Sequence, residues 1–176
     1  MDANAPIAGR WDYSYSVDKP HQYGELESYQ LAAEWLNPCS EVEDRGCGCA
    51  FARQFYTTVY TGVDGSPSRW TDKVVDLMTY RREVPGIQMR HVLEHNGEWQ
   101  VILRNALNDF TKRMALVVHI PLSPDADHYL APAVFPGDIA VPNISLSRHD
   151  LLVLLAPYAR KLIELPNGEL IFYLEK

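Results

Sequence analysis

The sequence has few cysteines, no long hydrophobic run and no recognisable export signal. Three cysteines occur among its 176 residues, and two of them, Cys47 and Cys49, lie in one glycine-rich stretch. This number and arrangement do not suit a disulfide framework and favour a reducing compartment. The longest apolar run, residues 151–156, is far shorter than the about 20 residues that span a membrane. Because the N-terminus also lacks the basic and then apolar pattern of a signal peptide, we expect a soluble, cytoplasmic protein without membrane contact.

Positive charge is also scarce. The sequence has 16 Lys and Arg residues against 23 Asp and Glu residues, which gives a net charge of −7. Because affinity for nucleic acids comes largely from Lys and Arg on phosphates, a dedicated nucleic-acid binder is disfavoured, although a local basic patch would escape this count. The hydrophobic content of 47% and the charged content of 22% are typical of globular proteins. The length predicts a single domain over residues 1–176 and leaves open whether it is a monomer or a homodimer.

One stretch, residues 42–50 (VEDRGCGCA), carries the strongest signal. Its first residues are typical of a strand that ends near Asp44, and Gly46 and Gly48 then permit a turn that other residues take only with strain. A second apolar run ends in Asp64, about 18 positions after the first glycine, which is where a βαβ unit offers a carboxylate to ribose hydroxyls. This pattern predicts a nucleoside-binding crevice, with a glycine-rich turn that binds nothing as the alternative.

The spacing of small residues indicates which nucleoside. A dinucleotide site needs a small residue three places after its second glycine, and Phe51 stands there, which disfavours NAD and FAD. The pattern acidic-x-Gly-x-Gly-x-Gly/Ala is instead filled by Asp44, Gly46, Gly48 and Ala50. At these residues, and at the Gly-hydrophobic-Asp that follows, the sequence resembles the class I S-adenosylmethionine (SAM)-dependent methyltransferases. The departure is alanine in place of the third glycine.

The resemblance implies an α/β fold: a doubly wound, mostly parallel seven-stranded sheet of order 3-2-1-4-5-7-6 that ends in an antiparallel hairpin. It also implies SAM as cofactor and S-adenosylhomocysteine (SAH) as product. By this resemblance Asp76 would contact the adenine amino group, and Arg90 would pair either with the methionyl carboxylate or with a surface acid. The cofactor-binding residues it implies are Tyr23, Asp44, Gly46, Cys47, Gly48, Asp64, Gly65, Ser66, Asp76, Leu77, Arg90 and His91.

Apolar periodicity and turn signals predict the remaining elements. We expect helices over 25–36, 50–56 and 99–110 and after Ser147, and strands over 42–44, 59–63, 74–77, 114–122, 161–165 and 169–174, with a fourth strand starting near residue 86. Ser147 and Asp150 have the spacing of a capping box. Residues 1–24 are either a tail or a flap over the ligand. Residues 123–146 are proline-rich, and we interpret them as a long loop that forms a substrate lid.

Polar residues follow the predicted fourth strand and are placed for chemistry. His91, Glu94 and His95 match the H-x-x-E-H pattern of inverted zinc peptidases. That chemistry needs both histidines on one helical face and a further ligand; because the pattern begins at a strand end and no third ligand is evident, we predict no metal. For methyl transfer, His91 or His95 is the candidate general base, with Glu94 orienting an imidazole. The alternative is that both histidines only hydrogen-bond the loop or the surroundings of the cofactor.

The methyl acceptor is less well defined by the sequence. The Asp/Asn/Ser-Pro-Pro-aromatic signature of nucleobase amino-methyltransferases is absent after the fourth strand, and no separate recognition domain is predicted. We therefore predict transfer to an oxygen or nitrogen of a small-molecule acceptor. A methyltransferase acting on a protein or nucleic acid, and a non-catalytic module that binds SAM or a nucleoside, are the alternatives.

Overall fold

Seven strands form one mixed sheet around which the chain is built. The computed structural model describes residues 19–135 and 139–176. The strands of this sheet are β1 (Glu41–Arg45), β2 (Val59–Asp64), β3 (Lys73–Val74), β4 (Val84–Arg90), β5 (Phe110–Val118), β8 (Ala159–Glu164) and β9 (Leu170–Glu175). Their order is β3-β2-β1-β4-β5-β9-β8, with β1 to β5 parallel and β9 antiparallel to both of its neighbours. When only the strands of this sheet are numbered along the chain, β8 is the sixth and β9 is the seventh. The order is then the predicted 3-2-1-4-5-7-6, and the fold prediction is confirmed.

Three α-helices, α1 (Leu26–Leu36), α2 (Trp99–Asp109) and α3 (Arg148–Leu155), accompany the sheet. Alternate residues of β5 enter different clusters, because successive side chains of a strand point to opposite faces. Ala115 packs with Ala32 and Leu36 of α1, whereas Met114 belongs to the larger cluster that contains Leu103 of α2. The sheet is therefore covered on both faces. No helix in the part of the chain that the structure describes is long and apolar enough to cross a membrane.

Residues 123–146 are not the structureless loop that we predicted. They contain β6 (His128–Phe135) and β7 (Ile139–Ser145), which pair as an antiparallel two-stranded ribbon apart from the main sheet. The pairing register shifts between Leu130 and Ala133, and Pro132 lies in that interval. Proline cannot donate to a strand ladder, so an irregular position accommodates it. Positions 136–138 of the proposed lid, and 1–18 of the proposed flap, lie outside the described residues.

Several element boundaries also differ from the predictions. Strand β5 begins directly after α2 and ends at Val118, four residues before the predicted end. Of the predicted third strand, 74–77, only Val74 pairs with β2, together with Lys73 before it, and the predicted short helix is a 3-10 helix, Phe51–Phe55. Ser147 caps α3 as predicted, because its Oγ accepts from Asp150 N at 3.2 Å. The second hydrogen bond of the predicted capping box, from Ser147 N to the carboxylate of Asp150, is wrong. Ser147 N donates to the carboxylate of Asp127.

Candidate active site

A cavity of about 430 Å³ opens at the carboxyl ends of β1, β4 and β5. In a parallel α/β sheet this edge, where the strand order reverses, is the usual place for a ligand. Its lining comes from the turn after β1, from the ends of β4 and β5, from the ribbon and from the β8–β9 turn. The lining residues are Tyr23, Gly24, Tyr29, Asp44, Gly46, Cys47, Gly48, Cys49, Phe51, Ala52, Gln88, Arg90, His91, His95, His119, Asn143, Asn167 and Glu169.

The turn after β1 depends on glycine at one position above all. Gly46 has φ of +83°, and a Cβ built there would lie 2.4 Å from Cγ2 of Val92. The close approach of these two segments therefore excludes any side chain at residue 46. Ala50, which stands where the resembling family has its third glycine, also has a left-handed backbone, with φ of +53°. This conformation is strained for alanine, and glycine would adopt it without that strain.

The carboxylate of Asp64 is hydrogen-bonded to the backbone of the glycine turn. Its Oδ2 accepts from Gly48 N and its Oδ1 from Ser66 N, each at 2.8 Å, and the residue is only 7% exposed. Burial raises the pKa of Asp64, and the backbone amides counteract this. Among the described residues Asp64, Gly65 and Ser66 are not part of the cavity lining, and neither are Asp76 and Leu77. The structure thus places part of the predicted cofactor set beside the turn and not at the cavity surface.

Asp44 does line the cavity, at the end of β1. The Tyr60 hydroxyl donates to its Oδ2 at 2.5 Å, and on the same wall the Tyr56 hydroxyl donates to Gln88 Oε1 at 2.6 Å. Burial raises the pKa of Asp44 to about 6, despite hydrogen bonds that favour its charged form. This carboxyl group is therefore poised to change its charge just below neutral pH.

Arg90, the last residue of β4, is fully engaged within the protein. Its Nη2 donates to Glu169 Oε1 at 2.8 Å and to the carbonyl oxygen of Tyr23, and its Nε donates to Ser28 Oγ at 3.0 Å. Its guanidinium also lies 3.8 Å from the ring centroid of Tyr29. The acid that pairs with Arg90 is thus the buried Glu169, and the same guanidinium ties the segment at Tyr23 to the cavity.

His91 follows β4 in a left-handed conformation, with φ of +53°. Its Nε2 lies 2.7 Å from Glu169 Oε1, and its Nδ1 lies 3.3 Å from Arg90 Nη1. Burial lowers the pKa of His91, although Glu169 acts in the opposite direction. Burial also opposes ionisation of Glu169, but His91 and Arg90 outweigh it and hold the pKa of this carboxyl at about 2.

A third histidine, His119, joins the two predicted ones. The rings of His91 and His119 have centroids 4.4 Å apart, and those of His95 and His119 are 5.7 Å apart. Glu94 is fully buried, and its Oε1 accepts from His119 N at 2.7 Å and lies 3.0 Å from His119 Nδ1. Burial raises the pKa of Glu94, but the bond with His119 and the nearby imidazoles hold it below its usual value. The structure therefore brings His91 and His95 together, while the imidazole that Glu94 contacts directly is that of His119.

The H-x-x-E-H pattern does not lie on one helical face. His91 precedes the 3-10 helix Leu93–His95, so its side chain is not in helical register with His95. Within 19–135 and 139–176, no group of three or more His, Cys, Asp or Glu side chains is arranged to hold a metal ion.

Sequence reasoning missed His119, Glu169 and Asn143. The predicted fifth strand extended over His119, whereas the observed strand ends one residue before it, at the cavity edge. Pro121, two residues later, was the available signal for an earlier strand end. Glu169 was assigned to the last strand, but it belongs to the turn that faces the cavity. Asn143 lies in the ribbon, for which no strand was predicted.

This sheet order, with a glycine turn after β1 and a cavity at the carboxyl edge, defines the fold of the class I SAM-dependent methyltransferases. Among solved structures, the N-terminal domain of EvdMO1 with SAH bound matches with a TM-score of 0.59 and 12% identity, over 85% of this chain and 79% of that chain. The DhpI–SAM–HEP complex matches with a TM-score of 0.59 and 14% identity, over 85% and 86%. The mitomycin 7-O-methyltransferase MmcR matches with a TM-score of 0.57 and 12% identity, over 85% of this chain and 53% of that chain. No protein-family model and no curated protein sequence matches this chain, so the similarity concerns the fold.

Proposed function

We propose that the chain binds SAM in this cavity and transfers its methyl group to an oxygen or nitrogen of a small-molecule acceptor. The observation that carries the proposal is that the glycine turn and the three histidines His91, His95 and His119 line one cavity. A cofactor bound along the glycine turn would therefore have polar side chains in the same cavity as its reactive end. The volume of about 430 Å³ is within the range of small-molecule sites.

The cavity residues fit the chemistry of SAM. Glu169 Oε2 is buried and has no hydrogen-bond partner within the described residues, and its carboxyl group is charged at neutral pH. An unpaired buried carboxylate oxygen is costly unless a donor such as an ammonium group or a hydroxyl meets it. Asp44 adds a second carboxyl group beside the glycine turn.

Several of the residues predicted from the sequence fit this scheme. The main chain of Gly46, Cys47 and Gly48 would lie along the cofactor, and Tyr23 would cover it. Asp64 would have to release Gly48 N or Ser66 N to reach the ribose hydroxyls, and Asp76, two residues after β3, keeps its proposed contact with the adenine. His91 and His95 line the cavity where the acceptor would bind, and Glu94 lies buried behind His119.

SAM supplies a methyl group on a positively charged sulfur. The protein mainly has to align the acceptor with this carbon and to keep water away. The solved relatives support a small acceptor: MmcR is a 7-O-methyltransferase of mitomycin, and the DhpI complex contains HEP together with SAM. The buried side chains around the cavity suit such a water-poor site.

Two measurements test the proposal. Calorimetry should show one site for SAM and for SAH and none for NADH, and the Asp44→Asn variant should bind SAM at least tenfold more weakly because it loses a carboxylate near a cation. His149→Ala, an exposed change on α3, is the matched control and should bind like the wild type. Release of SAH should then depend on an added small acceptor. Absence of SAM binding contradicts the proposal, and binding without any acceptor-dependent SAH indicates a non-catalytic module.

A further inference from the structure

The three clustered imidazoles differ in which ring nitrogen is available. Both nitrogens of His91 already lie near charged partners, with Nε2 at 2.7 Å from Glu169 and Nδ1 at 3.3 Å from Arg90. His95 Nδ1 lies 2.8 Å from the carbonyl oxygen of Pro142, which fixes the ring through a neutral acceptor. At His91, burial and the Arg90 guanidinium outweigh the effect of Glu169 and lower the pKa of the ring, and at His95 the carbonyl oxygen supplies no full counter-charge for an imidazolium.

His119 is held differently. Its Nδ1 lies 3.0 Å from Oε1 of Glu94, a carboxylate that is fully buried and also fixed by the backbone N–H of His119. A carboxylate at Nδ1 requires the Nδ1–H tautomer and leaves the Nε2 lone pair as the proton acceptor. The His119 side chain is 37% exposed and lines the cavity. The pair thus has the arrangement of a base and its orienting acid.

We propose that His119, positioned by Glu94, accepts the proton from a hydroxyl group of the acceptor, so that methylation takes place on oxygen. This inference rests on the proposed function and narrows it. The acceptor oxygen forms a bond to the methyl carbon, and the bond between this carbon and sulfur breaks with its electron pair going to sulfur, which leaves neutral SAH. The hydroxyl proton goes to Nε2 of His119, and the resulting positive charge is balanced by Glu94.

The chemistry of the two acceptor types supports oxygen over nitrogen. A neutral amine attacks with its own lone pair and loses a proton afterwards, whereas a hydroxyl group is a weak nucleophile until a base takes its proton. The cavity lining also contains a buried acceptor atom without a partner in the described residues, Asn143 Oδ1. A hydroxyl group of a polar acceptor would donate to this atom, whose burial without a donor is unfavourable.

An internal competition tests the acceptor atom. The protein is incubated with SAM carrying a ¹³C-labelled methyl group and with ethanolamine, serinol or 2-aminophenol, each of which offers both a hydroxyl group and an amine. We expect O-methyl product in the ¹³C spectrum. An N-methyl product from the wild type overturns the inference, and so does the absence of methylated product from all three probes.

Variants then test the two residues. His119→Ala should lower kcat by about 10²–10⁴-fold, leave the SAM affinity within twofold, and regain part of its activity when imidazole is added. Glu94→Gln should lower kcat by at least tenfold with little change in KM, and imidazole should not restore it. His149→Ala is again the control with unchanged activity. In the protein without SAM, ¹⁵N spectra should show the proton of His119 on Nδ1, which reports on the arrangement independently of turnover.

The outcomes separate this inference from the proposed function. If calorimetry detects no SAM binding to the wild type, the proposed function fails and the role of His119 fails with it. If SAM binds and O-methyl product forms, but His119→Ala keeps the wild-type kcat or its ring proton is on Nε2, the role of His119 alone is wrong.

Discussion

The carboxyl group of Asp44 connects stability with binding at the scale of one residue. Its pKa is raised from 3.8 to about 6 by burial, so between these values the folded protein holds a proton that the unfolded chain has released. Stability therefore falls as the pH rises from about 4 to 6 and stays lower above that window. We expect Asp44→Asn to raise the free energy of unfolding at pH 7 by about 3 kcal/mol, since two pKa units correspond to about that energy. Urea titrations at pH 4 and pH 7 measure the difference, which should be small at the lower pH. A variant less stable than the wild type at pH 7 would mean that the charged form of Asp44 is stabilised by its surroundings.

Two positions of the glycine turn should respond in opposite ways. Ala50 occupies a left-handed conformation that costs an L-residue about 1–2 kcal/mol, and the extra freedom of glycine in the unfolded chain returns about 0.5–1 kcal/mol of this. Ala50→Gly should therefore stabilise the protein by up to about 1 kcal/mol. Gly46→Ala should destabilise it by at least about 2 kcal/mol, because its methyl group would lie 2.4 Å from Val92. Parallel urea titrations compare them, and a destabilising Ala50→Gly would show that the alanine methyl group contributes to packing.

Among the secondary-structure elements, Asp127 joins the start of the β6–β7 ribbon to two helices. Its Oδ2 accepts from the indole N–H of Trp99 at 2.8 Å, and its Oδ1 accepts from Ser147 N at 2.6 Å. Trp99 is fully buried, so removal of the acceptor leaves a buried donor unpaired. We expect Asp127→Ala to lower the free energy of unfolding by about 2–4 kcal/mol. Thermal and urea unfolding, followed by the fluorescence of the tryptophans, measure the effect.

The neighbouring Asp125 provides the control for this prediction. It is exposed, and within 19–135 and 139–176 its one hydrogen bond is made by its backbone carbonyl, which accepts from Ser147 Oγ. Asp125→Ala should change the stability by less than about 0.5 kcal/mol. Equal effects of the two variants would argue against a specific role of the Asp127 contacts.

How well each element could be predicted depended on its local signal. Helices α1 and α2 have regular apolar periodicity and were located within one residue at each end. The hairpin of β8 and β9 followed from an Asn-Gly turn between apolar runs. The start of strand β5 was predicted too late because three of its first four residues, Thr111, Lys112 and Arg113, are polar. The ribbon was missed because its prolines mask the alternation that identifies a strand.

How well the candidate site could be predicted also depended on local sequence signals. The glycines after β1 identified one part of the cavity, because glycine adopts such turn conformations more readily than other residues. The rest of the lining is assembled from residues far apart in sequence, including His119, Asn143 and Glu169, whose proximity depends on strand ends and on the ribbon. A shift of four residues at the end of β5 was enough to hide His119 inside a predicted strand.

At the scale of the whole molecule, a buried ionic network joins strands of the sheet through side chains that do not line the cavity. Asp109, just before β5, accepts from Arg45 Nη1 at 2.9 Å, from Arg81 Nε at 2.8 Å and from the backbone N–H of Arg82 at 3.1 Å. Arg45 also donates to Glu43 at 2.9 Å, and its side chain is only 2% exposed. The network thus ties the side chains of Glu43 and Arg45 to the segments that precede β4 and β5. Arg45 lies between the lining residues Asp44 and Gly46, but its own side chain does not line the cavity.

This separation predicts that stability and ligand affinity can be changed independently. Asp109→Asn leaves the buried guanidinium of Arg45 without a full counter-charge, which should lower the free energy of unfolding by about 3 kcal/mol, while the folded variant should bind SAM within twofold of the wild type. The control is Arg160→Ala, which breaks a partly exposed pair with Glu175 and should cost less than about 1 kcal/mol. Urea titration and calorimetry on the same samples measure both quantities. A tenfold loss of SAM affinity in Asp109→Asn would show that the two edges of the sheet are coupled, because a change at the starts of β4 and β5 would then have displaced the residues at their ends.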